Sequence, residues 1–250
     1  MSAAKAPKPA RPRATKPANA PEPAPAARER DRALREHALR LLDAAGAGPA
    51  PIVRAGHPAL RGVAVPFDGQ LEGEELAGLL ALMHRTMRAA PGVGLAAPQI
   101  GLPLALAVLE DPGMASEEVA AVRERRPLPY RVLVNPVYEA VGDERAEFYE
   151  GCLSVPAFQA VVARWRTVRL TGADEHGTPL DETVSGWSAR IVQHETDHLG
   201  GTLYLDRAEL RSLAAADEIG MRWASEPRPE QAARALGFAL GADLTEPSTD

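Results

Sequence analysis

Leucine and methionine recur at helical spacing in two early stretches of the chain. Residues 30–45 carry Leu34, Leu41 and Leu42 in such a pattern and run into Gly46, a suitable helix stop. Residues 74–90 set Leu76, Leu79, Leu80, Met83 and Met87 on one side of a second helix, which Pro91-Gly92 ends. The pattern then shortens. Leu104 to Leu109 reads as a compact apolar strand, and Tyr130 to Val141 as β-rich with a bulge or edge at Asn135-Pro136. Asp111 to Arg126 is polar and reads as an exposed helical insertion. Val161–Thr171 and Thr178–Val184 read as two strands joined by the turn Asp174-Glu175-His176-Gly177. Ser185 or Gly186 opens a helix that ends near Gly200-Gly201, and Asp206 to Trp223 reads as one more helix. This order predicts an α+β fold, with antiparallel or mixed β-sheets packed around a central helix.

Composition divides the chain into three parts. Residues 1–28 are almost entirely Ala, Pro, Lys and Arg, with seven prolines and no apolar periodicity, so the expectation is a disordered tail. Residues 29–223 are long enough for one domain with its own core. Residues 224–250 are acidic and weakly patterned, and are expected to be loosely ordered. The tail holds six basic residues and one acid, Glu22; the remaining chain holds 22 basic and 33 acidic residues. An acidic body argues against specific nucleic-acid binding by the domain, while the basic tail leaves room for a transient ribosome contact. Cys152 is the one cysteine, so no intrachain disulfide forms, which suits a reducing compartment. No apolar run is long enough to span a bilayer, and no membrane partner is expected.

The chemistry concentrates in His194-Glu195-Thr196-Asp197-His198. Residues four apart lie one above the other on a helix face, so His194 and His198 are arranged to grip one metal ion. Glu195 beside them has the chemistry to carry a proton. A hydrolytic site of this kind usually adds a third protein ligand and keeps one open position. A metzincin would place His where Tyr204 stands, so that reading fails. A later carboxylate (Glu209, Glu218 or Glu226) would make an endopeptidase site. Cys152, in Glu150-Gly151-Cys152-Leu153-Ser154, would make a Cys-His-His site. The motif by itself leaves both open.

Three segments taken together resemble the signature motifs of the peptide deformylases. They are Gly92-Val93-Gly94-Leu95-Ala96-Ala97-Pro98-Gln99, Glu150-Gly151-Cys152-Leu153-Ser154, and Gln193-His194-Glu195-Thr196-Asp197-His198-Leu199. Order and separations match, and the resemblance runs from roughly His57 to Asp206. The glycine loop alone is a weak mark; the three together are specific. The resemblance implies hydrolysis of the formyl group from N-formylmethionyl nascent polypeptides. It implies metal ligands Cys152, His194 and His198 around Fe2+, with Ni2+, Zn2+ or Co2+ able to substitute. Glu195 would then move the proton, while the Gln99 side-chain amide and the Leu153 backbone N–H donate to the formyl oxygen. An extended substrate would lie between Val93-Gly94 and Gly151. Trp187 and Ile191, two turns and one turn before the ligands, are candidates for the methionine pocket. Asp197 and Gln193 are expected to orient the imidazoles, and Arg164 to pair with Glu150. Gln159 stands where many members carry Arg. Phe158-Gln159-Ala160 and Gly186-Trp187 resemble the class that includes organellar members, which bacteria also carry. The expected location is a bacterial cytoplasm, with an organelle as the alternative if the tail is a transit peptide.

Overall fold

The structure, a computed structural model, describes residues 24–114 and 116–241. Helix α1 (Pro25–Ala45) and helix α2 (Glu74–Ala89) come first, as their leucine spacing predicts. α1 begins at Pro25, so residues 25–28 are helical where a disordered tail was expected. Proline is well placed there, because the first helical turn needs no N–H donor from it. The rest of the tail prediction, residues 1–23, lies outside the described residues.

Strands β1 (Gly94–Ala96) and β2 (Leu106–Asp111) follow, then a short helix α3 (Glu117–Val122) inside the polar insertion, then β3 (Leu128–Ala140). β4 (Arg145–Cys152) and β5 (Val155–Trp165) form a tight hairpin, with Cys152 paired to Val155 across Leu153-Ser154. β6 (Thr167–Ala173) and β7 (Pro179–Ser185) form a second hairpin at the predicted turn. The expected single strand Val161–Thr171 is in fact two, because the chain passes from one sheet to the other at Arg166. The phase of alternation slips there, from Ala163 and Trp165 to Val168 and Leu170 across the polar pair Arg166-Thr167.

The larger sheet has the order β1-β2-β3-β6-β7 and the smaller β4-β5-β8, where β8 is Ala208–Ala215. All ladders among the described strands are antiparallel, and β3 shifts register between Val134 and Val137, where the Asn135-Pro136 bulge was expected. The chain is α+β with antiparallel sheets. Helix α4 (Gly186–Leu199) carries the H-E-x-x-H stretch and touches strands of both sheets. Alternation along β2 and β3 builds the core on both faces of the larger sheet. Leu106, Val108, Val132 and Val134 pack with Leu79, Met83 and Met87 of α2. Ala107, Leu109 and Leu133 pack with Ala189 and Val192 of α4.

Two expectations toward the C-terminus are corrected. Residues 206–223 do not form one helix: they run through β8 and then helix α5 (Ala216–Arg222). The β8 sequence suits helix or strand, and pairing with β5 decides. Ser212 stabilises the bulge there, its Oγ accepting from Val161 N at 2.7 Å. Residues 224–241 are not loose: helix α6 (Glu230–Leu236) packs Ala232, Ala233 and then Phe238 onto Val161. Residues 242–250 lie outside the described residues.

Candidate metal centre and substrate cleft

Three donor atoms, from Cys152, His194 and His198, lie within 4.8 Å of one another. The tight β4–β5 turn delivers the thiol, and one helical turn of α4 delivers both imidazoles. Cys152 Sγ is 3.3 Å from His198 Nε2. Glu209, Glu218 and Glu226 are not in this cluster, which removes the support for a later carboxylate ligand. Burial and the neighbouring His194 push the His198 imidazole well below its usual pKa, so it is neutral and has a lone pair to give. Burial disfavours charge at His194 too, yet Cys152 and Glu150 raise its pKa well above the usual value. The pocket thus favours positive charge at this point, and its donors, one sulfur and two imidazole nitrogens, fit a first-row divalent ion.

Behind the cluster lies a buried charged network. Glu150 accepts from Arg164 Nε and Nη2, both at 3.0 Å, from Arg190 Nη1 at 2.6 Å, and faces His194 Nδ1 at 3.1 Å. Burial opposes its charge, but Arg164 and Arg190 hold its carboxyl well below the usual range. Arg164 also reaches Asp197, which accepts from Tyr138 Oη at 2.9 Å and from Arg207 Nε at 2.8 Å. The predicted Arg164–Glu150 pair is present. The expected role of Asp197 and Gln193 is not: the hydrogen bonds of both side chains go elsewhere than the imidazoles. Gln193 is spent on the Trp165 backbone, accepting from its N at 3.0 Å and donating to its O at 2.8 Å. Glu150 orients His194 instead. Arg190, Arg207 and Tyr138 were not singled out from sequence; a charged residue on the buried side of a motif helix was the available signal for Arg190.

Glu195 is 4 % exposed, and its Oε2 has no hydrogen-bond partner among the described residues. Burial pushes its pKa up to about 7, against the opposing charges of His194 and Arg164. Gln99 sits in a short 3-10 turn after β1. Its Oε1 accepts from Ala96 N at 2.8 Å, which turns Nε2 toward Cys152 Sγ at 3.6 Å and Ser154 Oγ at 3.4 Å.

A cavity of about 740 Å³ opens beside these groups, and Val93, Gly94, Gln99, Gly151, Cys152 and Leu153 line one part of it. Trp187, Ile191, His194 and Glu195 line another part. β1 and β4 are both edge strands, one from each sheet, and both border this cavity. All the residues expected at the site therefore converge there except His198, which is fully buried behind it.

The polypeptide deformylase family model matches residues 49–213, well over half the chain. Peptide deformylase 3 of Streptomyces avermitilis is 60% identical over 216 residues, covering 86% of this chain and 95% of that protein. Peptide deformylase 1 of Streptomyces coelicolor is 58% identical, covering 83% of this chain and 94% of that protein. A solved class I type b peptide deformylase from Acinetobacter baumannii, 31% identical, superposes with a TM-score of 0.57 over 64% of this chain and 98% of that one. On these matches, which span the hairpin of Cys152 and the helix of His194 and His198, the chain belongs to the polypeptide deformylase family.

Proposed function

We propose that this chain hydrolyses the N-formyl group from the terminal formyl-methionine of newly made polypeptides, releasing formate, at a centre of Cys152, His194 and His198 on the central helix α4. The observation that carries the reading is the convergence of these three donor atoms within 4.8 Å, beside the buried Glu195 carboxylate. The metal would be Fe2+, with Ni2+, Zn2+ or Co2+ as substitutes. A divalent ion held there supplies Lewis acidity that makes water nucleophilic near neutral pH.

Glu195 takes a proton from the attacking water and passes it to the departing amine. Burial raises the pKa of this carboxyl, which favours its taking up that proton. The amine needs the proton, because an amide anion is a very poor leaving group. Negative charge grows on the formyl oxygen during attack, and Gln99 Nε2 and the Leu153 backbone N–H donate to it. Ala96 holds the Gln99 amide in that sense beforehand. The peptide lies extended between the β1 and β4 edges at Val93-Gly94 and Gly151, pairing backbone to backbone. Such pairing is indifferent to later side chains, as an enzyme acting on many nascent chains requires. The first side chain enters beside Trp187 and Ile191.

The Streptomyces relatives are bacterial, and no helix among the described residues is long and apolar enough to cross a membrane. A cytoplasmic location fits, with an organellar address in residues 1–28 as the alternative; ribosome contact by that basic tail is a further part of the proposal. The test is formate release from formyl-Met-Ala-Ser by the full chain loaded anaerobically with Fe2+. Release supports the assignment, and its absence from a metal-loaded, folded enzyme overturns it.

A further inference from the structure

A second cavity of about 750 Å³ lies beside the cleft, and the two are separated by side chains that line both: Arg123, Trp187 and Arg190. Two of these are built in. Arg190 is 4 % exposed and committed to Glu150, Val162 O and Ala146 O, and Trp187 packs with the core between α4 and the larger sheet. Arg123 is different. It comes from the polar insertion just after α3, and its guanidinium reaches across the gap to lie 5.5 Å from the Trp187 ring centroid and 5.7 Å from that of Phe148. Its nitrogens are spent on two backbone carbonyls of the C-terminal segment, Nε on Pro227 O at 3.1 Å and Nη2 on Glu226 O at 3.3 Å.

That segment lies beyond residue 213, where the family match ends. It is held down by its own contacts: Glu226 Oε1 accepts from Gln231 N at 3.1 Å at the start of α6, and α6 packs on Val161. The Arg123 side chain thus ties the insertion to the C-terminal segment, and it is the removable part of the wall.

We propose that Arg123 is a specificity-determining residue: it closes the far end of the pocket for the first side chain and sets its length, with Glu226 and Pro227 holding it in place. This rests on the deformylase reading. A guanidinium spread over two aromatic faces and tied to two carbonyls is a firm stop for a chain the length of methionine. Without it, the wall toward the second cavity is left to Trp187 and Arg190, and a longer unbranched side chain gains the space the guanidinium occupied.

The experiment compares kcat/KM for formyl-Met-Ala-Ser with that for the same peptide bearing an n-hexyl first side chain, using full-length Fe2+-loaded enzyme. Each methylene accepted or refused by an apolar pocket is worth roughly 10–200-fold in such a ratio. Arg123→Ala is expected to shift the ratio toward the hexyl peptide by ~10-fold or more, with metal content retained. Arg123→Lys, which keeps the stem and a donor, is expected to stay near the parent ratio. If the alanine variant does not fold, Arg123→Leu, shorter but still able to pack on Trp187, provides the same comparison. An unchanged ratio in a folded, metal-loaded Ala or Leu variant overturns the inference, as does an equal shift in the lysine variant. A parent enzyme that releases no formate from formyl-Met-Ala-Ser would instead overturn the deformylase reading itself.

Discussion

Gly94 and Glu195 are packed against each other so closely that a Cβ on residue 94 would lie 2.2 Å from Glu195 Oε1. The glycine of the edge strand is therefore required by the carboxylate of the motif helix. A Gly-rich loop beside a cleft suggests close approach to a ligand; here a close approach is to the chain's own Glu195 carboxylate. Gly94→Ala is expected to push the Glu195 side chain aside from its Cγ outward, since Cγ and Cδ would also lie within 2.7 Å of the new Cβ. Displacement by about 1 Å costs on the order of 10²-fold in rate. Steady-state kinetics should show this drop in kcat, with metal content and melting temperature near the parent values. A fully active Gly94→Ala enzyme would show that Glu195 does not need its present position.

Glu195→Gln keeps the shape of the side chain and removes its proton chemistry. It is expected to retain the metal and lose ~10²–10⁴-fold in kcat. Metal analysis alongside formate release separates this from a ligand variant; loss of the metal would place Glu195 among the ligands instead.

Gln99→Leu removes the amide N–H aimed past Cys152. The expected loss is ~10²–10³-fold in kcat. Metal content should be kept, because the one ligating atom of Gln99, its Oε1, is taken by Ala96 N. An unchanged kcat would mean that the formyl oxygen finds its donors elsewhere.

Glu150→Ala leaves Arg164 and Arg190, 3 % and 4 % exposed, without their shared carboxylate. Breaking one partner of a buried charged set costs about 3–5 kcal/mol, which denaturant unfolding measures. His194 also loses the group that faces its Nδ1, so metal affinity is expected to fall ~10–100-fold. A variant as stable as the parent would show that the two arginines find other partners.

The helix of the motif was legible because every signal there agrees: Ser185 ahead, Gly200 behind, and apolar residues at helical spacing between. The grouping of Gln99, Cys152 and the two histidines was implied by the resemblance of three segments to the deformylase motifs; the H-E-x-x-H stretch alone left a later carboxylate open as third ligand. What escaped was set by partners distant in sequence. Residues 208–215 become a strand because β5 offers an edge, and 230–236 become an ordered helix because Val161 offers an apolar seat. Gln193 was misread because its neighbour in space, the Trp165 backbone, is 28 residues away in the chain. Arg123 gives no sign in the sequence of being part of the cleft, as its carbonyl partners lie 103 and 104 residues further on.

The central claim is that Cys152 completes the metal centre. The most direct measurement is metal content and formate release for the parent chain and Cys152→Ala, both loaded anaerobically with Fe2+. Stoichiometric metal and release of formate from formyl-Met-Ala-Ser are expected in the parent, and neither in the variant. A Cys152→Ala enzyme that keeps its metal and its activity would contradict it.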